Sequence, residues 1–289
     1  MNRQHQAHAW LMLLPALVLL AAFTHYPAVA TIIDSFMSTP KPNRPSVFVG
    51  LDNYASMIED PIFWQALRNN LWFALATIPL SVGLALAMAL WVNARMVGRG
   101  FLRMAYFTPT VLPMIAVANI WLFFYTPTYG LLEQIGGLFG LPSQNWLGDK
   151  STALASITVV AVWKEAGFFM IFYLAALQSI SPSLREAAAI EGAGRWFFFR
   201  RVLWPLLMPT TIFVLVNAVI NAFRMVDHVV VMTRGGPDNA TSLLLYHLYE
   251  VGFKYWDQGY AAAITVVLIG TLATVALVQF FVLDKKAHY

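Results

Sequence analysis

Four polar side chains recur at helical spacing inside one apolar run: Asn217, Asn221, Arg224 and His228 stand at i, i+4, i+7 and i+11. On a continuous α-helix they share a stripe roughly 60° wide. Amides and an imidazole offer hydrogen bonds to hydroxyl groups, and a guanidinium matches phosphate or sulfonate oxygens. Such a stripe should not face lipid, and it is read as lining a substrate pathway. Asp227, three residues after Arg224, opens another reading, in which the two charges neutralise one another and the asparagines join neighbouring helices. An unpaired Arg224 points to an anionic ligand and a paired one to a neutral ligand. Lys164 and Glu165 are adjacent in a second apolar run. They point about 100° apart, so each needs a partner on another helix, in a structural pair or a gate.

Other chemistries lack their residues. There is no Gly-Lys dipeptide and therefore no phosphate-binding loop, no HExxH, no GxSxG, no cysteine, and no metal-spaced pair among the six histidines. No catalytic residue, cofactor or metal is expected. Asn239 and Thr241 match a glycosylation sequon of the kind that arises often by chance.

The elements that would position these groups follow from composition. The 289 residues are 59% hydrophobic and 11% charged, with a mean hydropathy of +0.64, whereas a soluble domain carries about 25% charged residues. The solvent must be lipid. A membrane-crossing helix needs roughly 20 apolar residues, and six segments qualify: 11–33, 71–92, 105–125, 152–177, 206–231 and 260–282. Runs such as Leu80 to Val92 are apolar on every face, which excludes the alternating strands of a barrel. The expected class is all-α and integral to the membrane, one transmembrane domain over 1–289. The apolar run after Arg3 continues to Ile33 without a small-x-small cleavage site, so it is read as a retained span.

Charge orients the six spans. The N-terminus, the 93–104 and 178–205 loops and the C-tail carry ten basic residues (Arg3, Arg95, Arg99, Arg103, Arg185, Arg195, Arg200, Arg201, Lys285, Lys286) against three acidic ones; the opposite side carries six basic and nine acidic. Lys and Arg concentrate in cytoplasmic loops, so both termini are expected in the cytoplasm. This distribution also turns the net charge of +4 away from nucleic acid. Helix starts at Asp52 and at Asp60-Pro61 predict short surface helices in the external 34–70 segment.

The 178–205 loop carries the most specific pattern. Ser183 and Glu186 have capping-box spacing, with Pro182 in the first turn, and Gly192 and Gly194 end the helix. Arg195 to Val202 then mixes basic and aromatic residues, as suits a segment lying at the membrane interface. One reading is a re-entry loop; the other is a docking knob, with Ala187 and Ala188 a close-approach surface and Glu186 an ion-pair partner for another chain.

Glu186-Ala187-Ala188, then Gly192, then Val202-Leu203-Trp204-Pro205 resembles the Glu-Ala-Ala motif of membrane subunits of binding-protein-dependent ABC importers, sugar (maltose-type) group, with Val202 and Trp204 departing from the usual Ile and Leu. Phe48 to Tyr54, Leu174 to Ile180, and Thr233 to Pro237 with Thr241 are similar to further segments of that family, in the same order. The resemblance implies a type I importer permease fold in a bacterial cytoplasmic (inner) membrane. Its implied partners are a second homologous permease, two ATPase subunits and an extracytoplasmic solute-binding protein. It also implies that the 178–205 loop is the coupling loop, with Glu186 the ion-pairing acid, Ala187 and Ala188 the contact surface, Gly192 the turn and Pro205 the re-entry point. A carbohydrate, polyol or glycerol derivative would be the cargo. The intramembrane charges leave an ion-coupled secondary carrier as the alternative.

Overall fold

A computed structural model describes residues 3–94 and 98–284, and these are helical apart from connecting loops and two isolated bridges. Arg95, Lys285 and Lys286, counted above on the cytoplasmic side, lie outside the described residues. The helices are α1 (Arg3–Leu20), α2 (Tyr26–Asp34), α3 (Asp52–Glu59), α4 (Pro61–Asn93), α5 (Arg99–Val111), α6 (Met114–Tyr125), α7 (Leu131–Leu138), α8 (Ala153–Ser179), α9 (Pro182–Ile190), α10 (Arg195–Phe198), α11 (Trp204–Arg224), α12 (Asp227–Met232), α13 (Leu244–Tyr249) and α14 (Gln258–Asp284). Among the described residues, five stretches are long and apolar enough to cross a membrane: Trp10–Asp34, Pro61–Asn93, Ala153–Ser179, Arg195–Met232 and Gln258–Gln279. The pair α5 and α6 makes a sixth if counted as one span, but it is bent by 105°.

Three sequence expectations change. The helix start at Asp60-Pro61 is real, with the Ile62 N–H donating to Asp60 Oδ1 at 2.8 Å. It opens the 33-residue α4 rather than a separate surface helix, because no breaker intervenes and Pro79 is accommodated inside the helix. The third span breaks at Leu112, which is extended (φ −75°, ψ 138°), and Pro113 follows with no N–H to donate. The fifth span is not one helix either. Met225 is extended (φ −73°, ψ 111°) and ends α11 at Arg224, while Asp227 sits in the first turn of α12, where a carboxylate favours the helix N-terminus.

The chain clusters into two compact units. In the first, residues 3–63 with 248–270, α1 and α2 are exposed along their apolar length. The segment after α2 is fastened to α3 and to the start of α14. Asn53 Nδ2 donates to the Ser35 and Met37 carbonyls at 2.8 and 2.9 Å, Thr39 Oγ1 donates to Asp257 Oδ1 at 2.5 Å, and the Tyr260 hydroxyl donates to Asp60 Oδ2 at 2.8 Å. The second unit holds the remaining described residues. Its core joins Ala85 and Ala89 of α4 to Phe169, Met170, Tyr173 and Leu177 of α8 and to Leu207, Val214 and Ala218 of α11. Small residues on α4 let bulky ones on α8 fill the space between helices. Also on α8, a Cβ at Gly167 would run into the Tyr106 carbonyl of α5, so only glycine permits that approach.

Candidate functional site

The best-formed candidate surface is α9. Ser181 is the N-cap, its Oγ accepting from the Ser183 N–H at 3.3 Å, and Pro182 occupies the first turn. This replaces the expected Ser183–Glu186 capping box: with Ser181 as cap, Ser183 and Glu186 already lie inside the helix. The C-terminus closes as a Schellman turn. Gly192 takes φ +72°, its N–H donates to the Ala189 carbonyl at 3.1 Å, and the Ala193 N–H donates to the Ala188 carbonyl at 2.9 Å.

Nearly all of α9 is exposed. Leu184 lines a groove with Ala176 and Ser179 of α8 and Leu206 of α11, and Ala188 on that side is half-buried. Glu186, Ala189 and Ile190 lie on the opposite face. Ile190 is 88% exposed, and Glu186 makes no side-chain hydrogen bond or ion pair among the described residues. Ile190 was not singled out from sequence, although its i+4 relation to Glu186 is the available signal. Beyond the turn, Arg195, Arg200 and Arg201 are exposed and Trp196 stacks on Phe199 with ring centroids 5.6 Å apart. A π-helical turn, Phe199–Leu203, carries the chain into α11 at Pro205.

The polar stripe ends where α11 ends, so only Asn217, Asn221 and Arg224 share its face. Asn217 Nδ2 donates to the Phe213 carbonyl of its own helix at 2.8 Å, and Asn221 Nδ2 donates to Glu165 Oε2 on α8 at 2.6 Å. Arg224 is exposed in the last turn. Asp227 is exposed on α12, and no ion pair joins the two. The break at Met225 removes His228 from the stripe. It is fully buried beside Phe73 of α4, with ring centroids 5.6 Å apart and no hydrogen bond to either ring nitrogen.

Lys164 resolves the third-span break. Its Nζ donates to the Pro109, Thr110 and Leu112 carbonyls at 3.0, 3.4 and 2.5 Å. These are carbonyls that the ended helix leaves without N–H partners, and one ammonium supplies all three donors. A membrane-buried charge and a broken helix are each costly; here each satisfies the other. Lys164 and Glu165 thus bind different helices, α5 and α11, as their angular separation requires. No group of three or more His, Asp or Glu side chains suited to a metal occurs among the described residues.

Residues 78–288 match the family described as "Binding-protein-dependent transport system inner membrane component". The chain is 36% identical over 262 residues to the trehalose/maltose transport system permease protein MalF of Thermococcus litoralis, covering 89% of this chain and 87% of that one. It is 32% identical over 281 residues to the sn-glycerol-3-phosphate transport system permease protein UgpA of Agrobacterium fabrum, covering 97% and 96%. Among solved structures it superposes with a TM-score of 0.87 on a chain of a bacterial ABC transporter involved in the import of the acidic polysaccharide alginate, over 98% of this chain and 96% of that one. At 20% identity, that similarity concerns the fold.

Proposed function

The chain belongs to the family of binding-protein-dependent transport system inner membrane components, and from that membership we propose that it forms half of the membrane pore of an ATP-driven importer for a carbohydrate or a related polyol or glycerol derivative. It is a multi-pass permease subunit of the inner membrane, served by a solute-binding protein. In this reading a second, similar permease completes the pore, two ATPase chains hydrolyse ATP, and both termini face the cytoplasm with those ATPases. The observation that carries the coupling role is α9: an exposed helix with an unpaired Glu186, closed by a rigid turn at Gly192, offers an acid and a small-residue surface to an arginine-bearing cleft.

For the cargo, relatives named for a neutral disaccharide and for a glycerol phosphate are both close in sequence. Arg224, exposed and not neutralised by Asp227, favours an anionic member of that range. Lys164 and Glu165 are engaged by backbone carbonyls and by Asn221 respectively. Neither is hydrogen-bonded to a second titratable side chain, which speaks against a proton relay and a secondary carrier.

The test is to extract the tagged chain in mild detergent, identify what co-purifies and assay vanadate-sensitive ATP hydrolysis. Recovery of a second permease and an active ATPase supports the reading. A chain isolated alone, with uptake abolished by uncoupler, overturns it. Replacing Arg224 with Gln then separates the cargo classes: uptake of a phosphate- or sulfonate-bearing substrate should fall about tenfold or more, with assembly intact, and unchanged uptake returns Arg224 to a structural role.

A further inference from the structure

On the second unit, an open groove of about 670 Å³ runs between α4 and the first turns of α8, beneath the 238–240 loop. Its upper rim is firmly built. Gln65 Nε2 donates to the Asp238 carbonyl at 2.9 Å, Asn69 Nδ2 donates to the Asn239 and Ser242 carbonyls at 2.8 and 3.1 Å, and Lys150 pairs with the Asp238 carboxylate. Arg68, one turn below Gln65, is exposed and has no partner among the described residues. The mouth therefore carries one net positive charge on a fixed frame. Below it the lining turns apolar. Trp72, 62% exposed, stands one turn beneath Arg68, as an aromatic does at a headgroup boundary. Ala76, Leu80, Leu154 and Val159 continue the groove downward.

We infer that this groove holds an anionic phospholipid, its phosphate on Arg68 and one acyl chain along the apolar lining, in the leaflet nearer the 238–240 loop. Length selects the occupant. From Trp72 to Leu80 the lining runs about 12 Å, close to one leaflet's share of a hydrocarbon core about 30 Å thick, whereas a partner helix would need an apolar seat through both leaflets. Chemistry disfavours a sugar in the lower groove. The hydroxyl there, on Thr158, already donates to the Leu154 carbonyl at 2.7 Å, so one acceptor and no donor remains to replace the water a sugar would lose. Charge selects the headgroup: an anionic lipid neutralises Arg68, while a zwitterionic one brings its own ammonium to a mouth already shared between Lys150 and Asp238. The inference rests on membrane placement and stands whatever the cargo.

The assembled complex is incubated with phosphatidylglycerol, phosphatidylcholine or inorganic phosphate, and bound lipid is counted by native mass spectrometry. Phosphatidylglycerol should be retained over phosphatidylcholine and should resist millimolar phosphate. Arg68→Gln should lower its retention about fivefold, the worth of one basic side chain at a lipid surface, and Ala76→Trp, which fills the chain's seat, should lower it further. Co-purification of the partner chains certifies that each variant is assembled, and Arg68, being exposed, tolerates replacement. Wild-type retention in assembled Arg68→Gln overturns the proposal, as does displacement of the lipid by phosphate alone. Cross-linking of Ala76→Cys to a second permease instead assigns the groove to a protein interface.

Discussion

The Lys164 ammonium lies 2.5 Å from the Leu112 carbonyl oxygen, at the point where the third span bends by 105°. Two further carbonyls of the same break share that ammonium, and Gly167, one turn along α8, keeps the two backbones close. Replacing Lys164 with Met should leave these carbonyls without donors and destabilise the assembled complex by about 2 kcal/mol or more, read as a lower unfolding temperature. Lys164→Arg should restore most of it. Equal loss in both variants would mean that shape rather than hydrogen bonding matters there.

Asn221 Nδ2 of α11 donates to Glu165 Oε2 of α8 at 2.6 Å and joins the two helices. Asn221→Leu removes the donor from a buried carboxylate, a change that costs about 2 kcal/mol for a hydrogen bond to a charged group. Glu165→Gln, retaining the shape and an acceptor oxygen, should cost much less. Thermal unfolding of the two variants checks the order, and the reverse order would sink the assignment of the amide as donor to the carboxylate.

Gly192 adopts φ +72°, and nothing lies within 4 Å of the position a Cβ would take. An alanine there meets only the backbone cost of the left-handed conformation, about 1 kcal/mol. Gly192→Ala should therefore assemble normally yet weaken ATPase docking about fivefold, measured by titrating the ATPase against the permease pair. Undiminished docking would show that the Schellman turn is not part of the docking surface.

Lys150 beside Asp238 holds the Asp238 carboxyl below its ordinary value. A depressed carboxyl contributes stability that is present above the unfolded value, near 4, and lost as pH falls through the folded value. Proteolysis of the 233–242 loop should be flat from neutral pH down to the ordinary carboxylate range and rise only below it. A rise between pH 7 and 5 would contradict the pairing.

The spans were legible because composition alone demands lipid and six apolar stretches supply the length. Gly192 was legible as a turn because glycine after a helix-forming run has few other uses. The capping-box spacing of Ser183 and Glu186 placed the start of α9 two residues late, because Pro182 suits the first turn and so favours Ser181 as the cap. The break at Met225 was hidden, since the apolar run continues through it and Asp227 is its one local mark. Pro113 has no N–H to donate, but a bend of 105° could not be read from it, because that angle is held by Lys164, about fifty residues away, and no local pattern reports a tertiary hydrogen bond.

The coupling role proposed for this chain requires α9 to contact the ATPase, and the chain's lack of cysteine allows a direct measurement. A single cysteine at Ala189, on the exposed face beside Glu186, is cross-linked in the assembled, transporting complex, with a cysteine at Ser143 in the loop between α7 and α8 as the comparison. A cross-link from position 189 to the ATPase chain, absent from position 143 and lost with Glu186→Lys, is the predicted result. An ATPase that drives uptake while never cross-linking to position 189 would contradict the docking role of this helix.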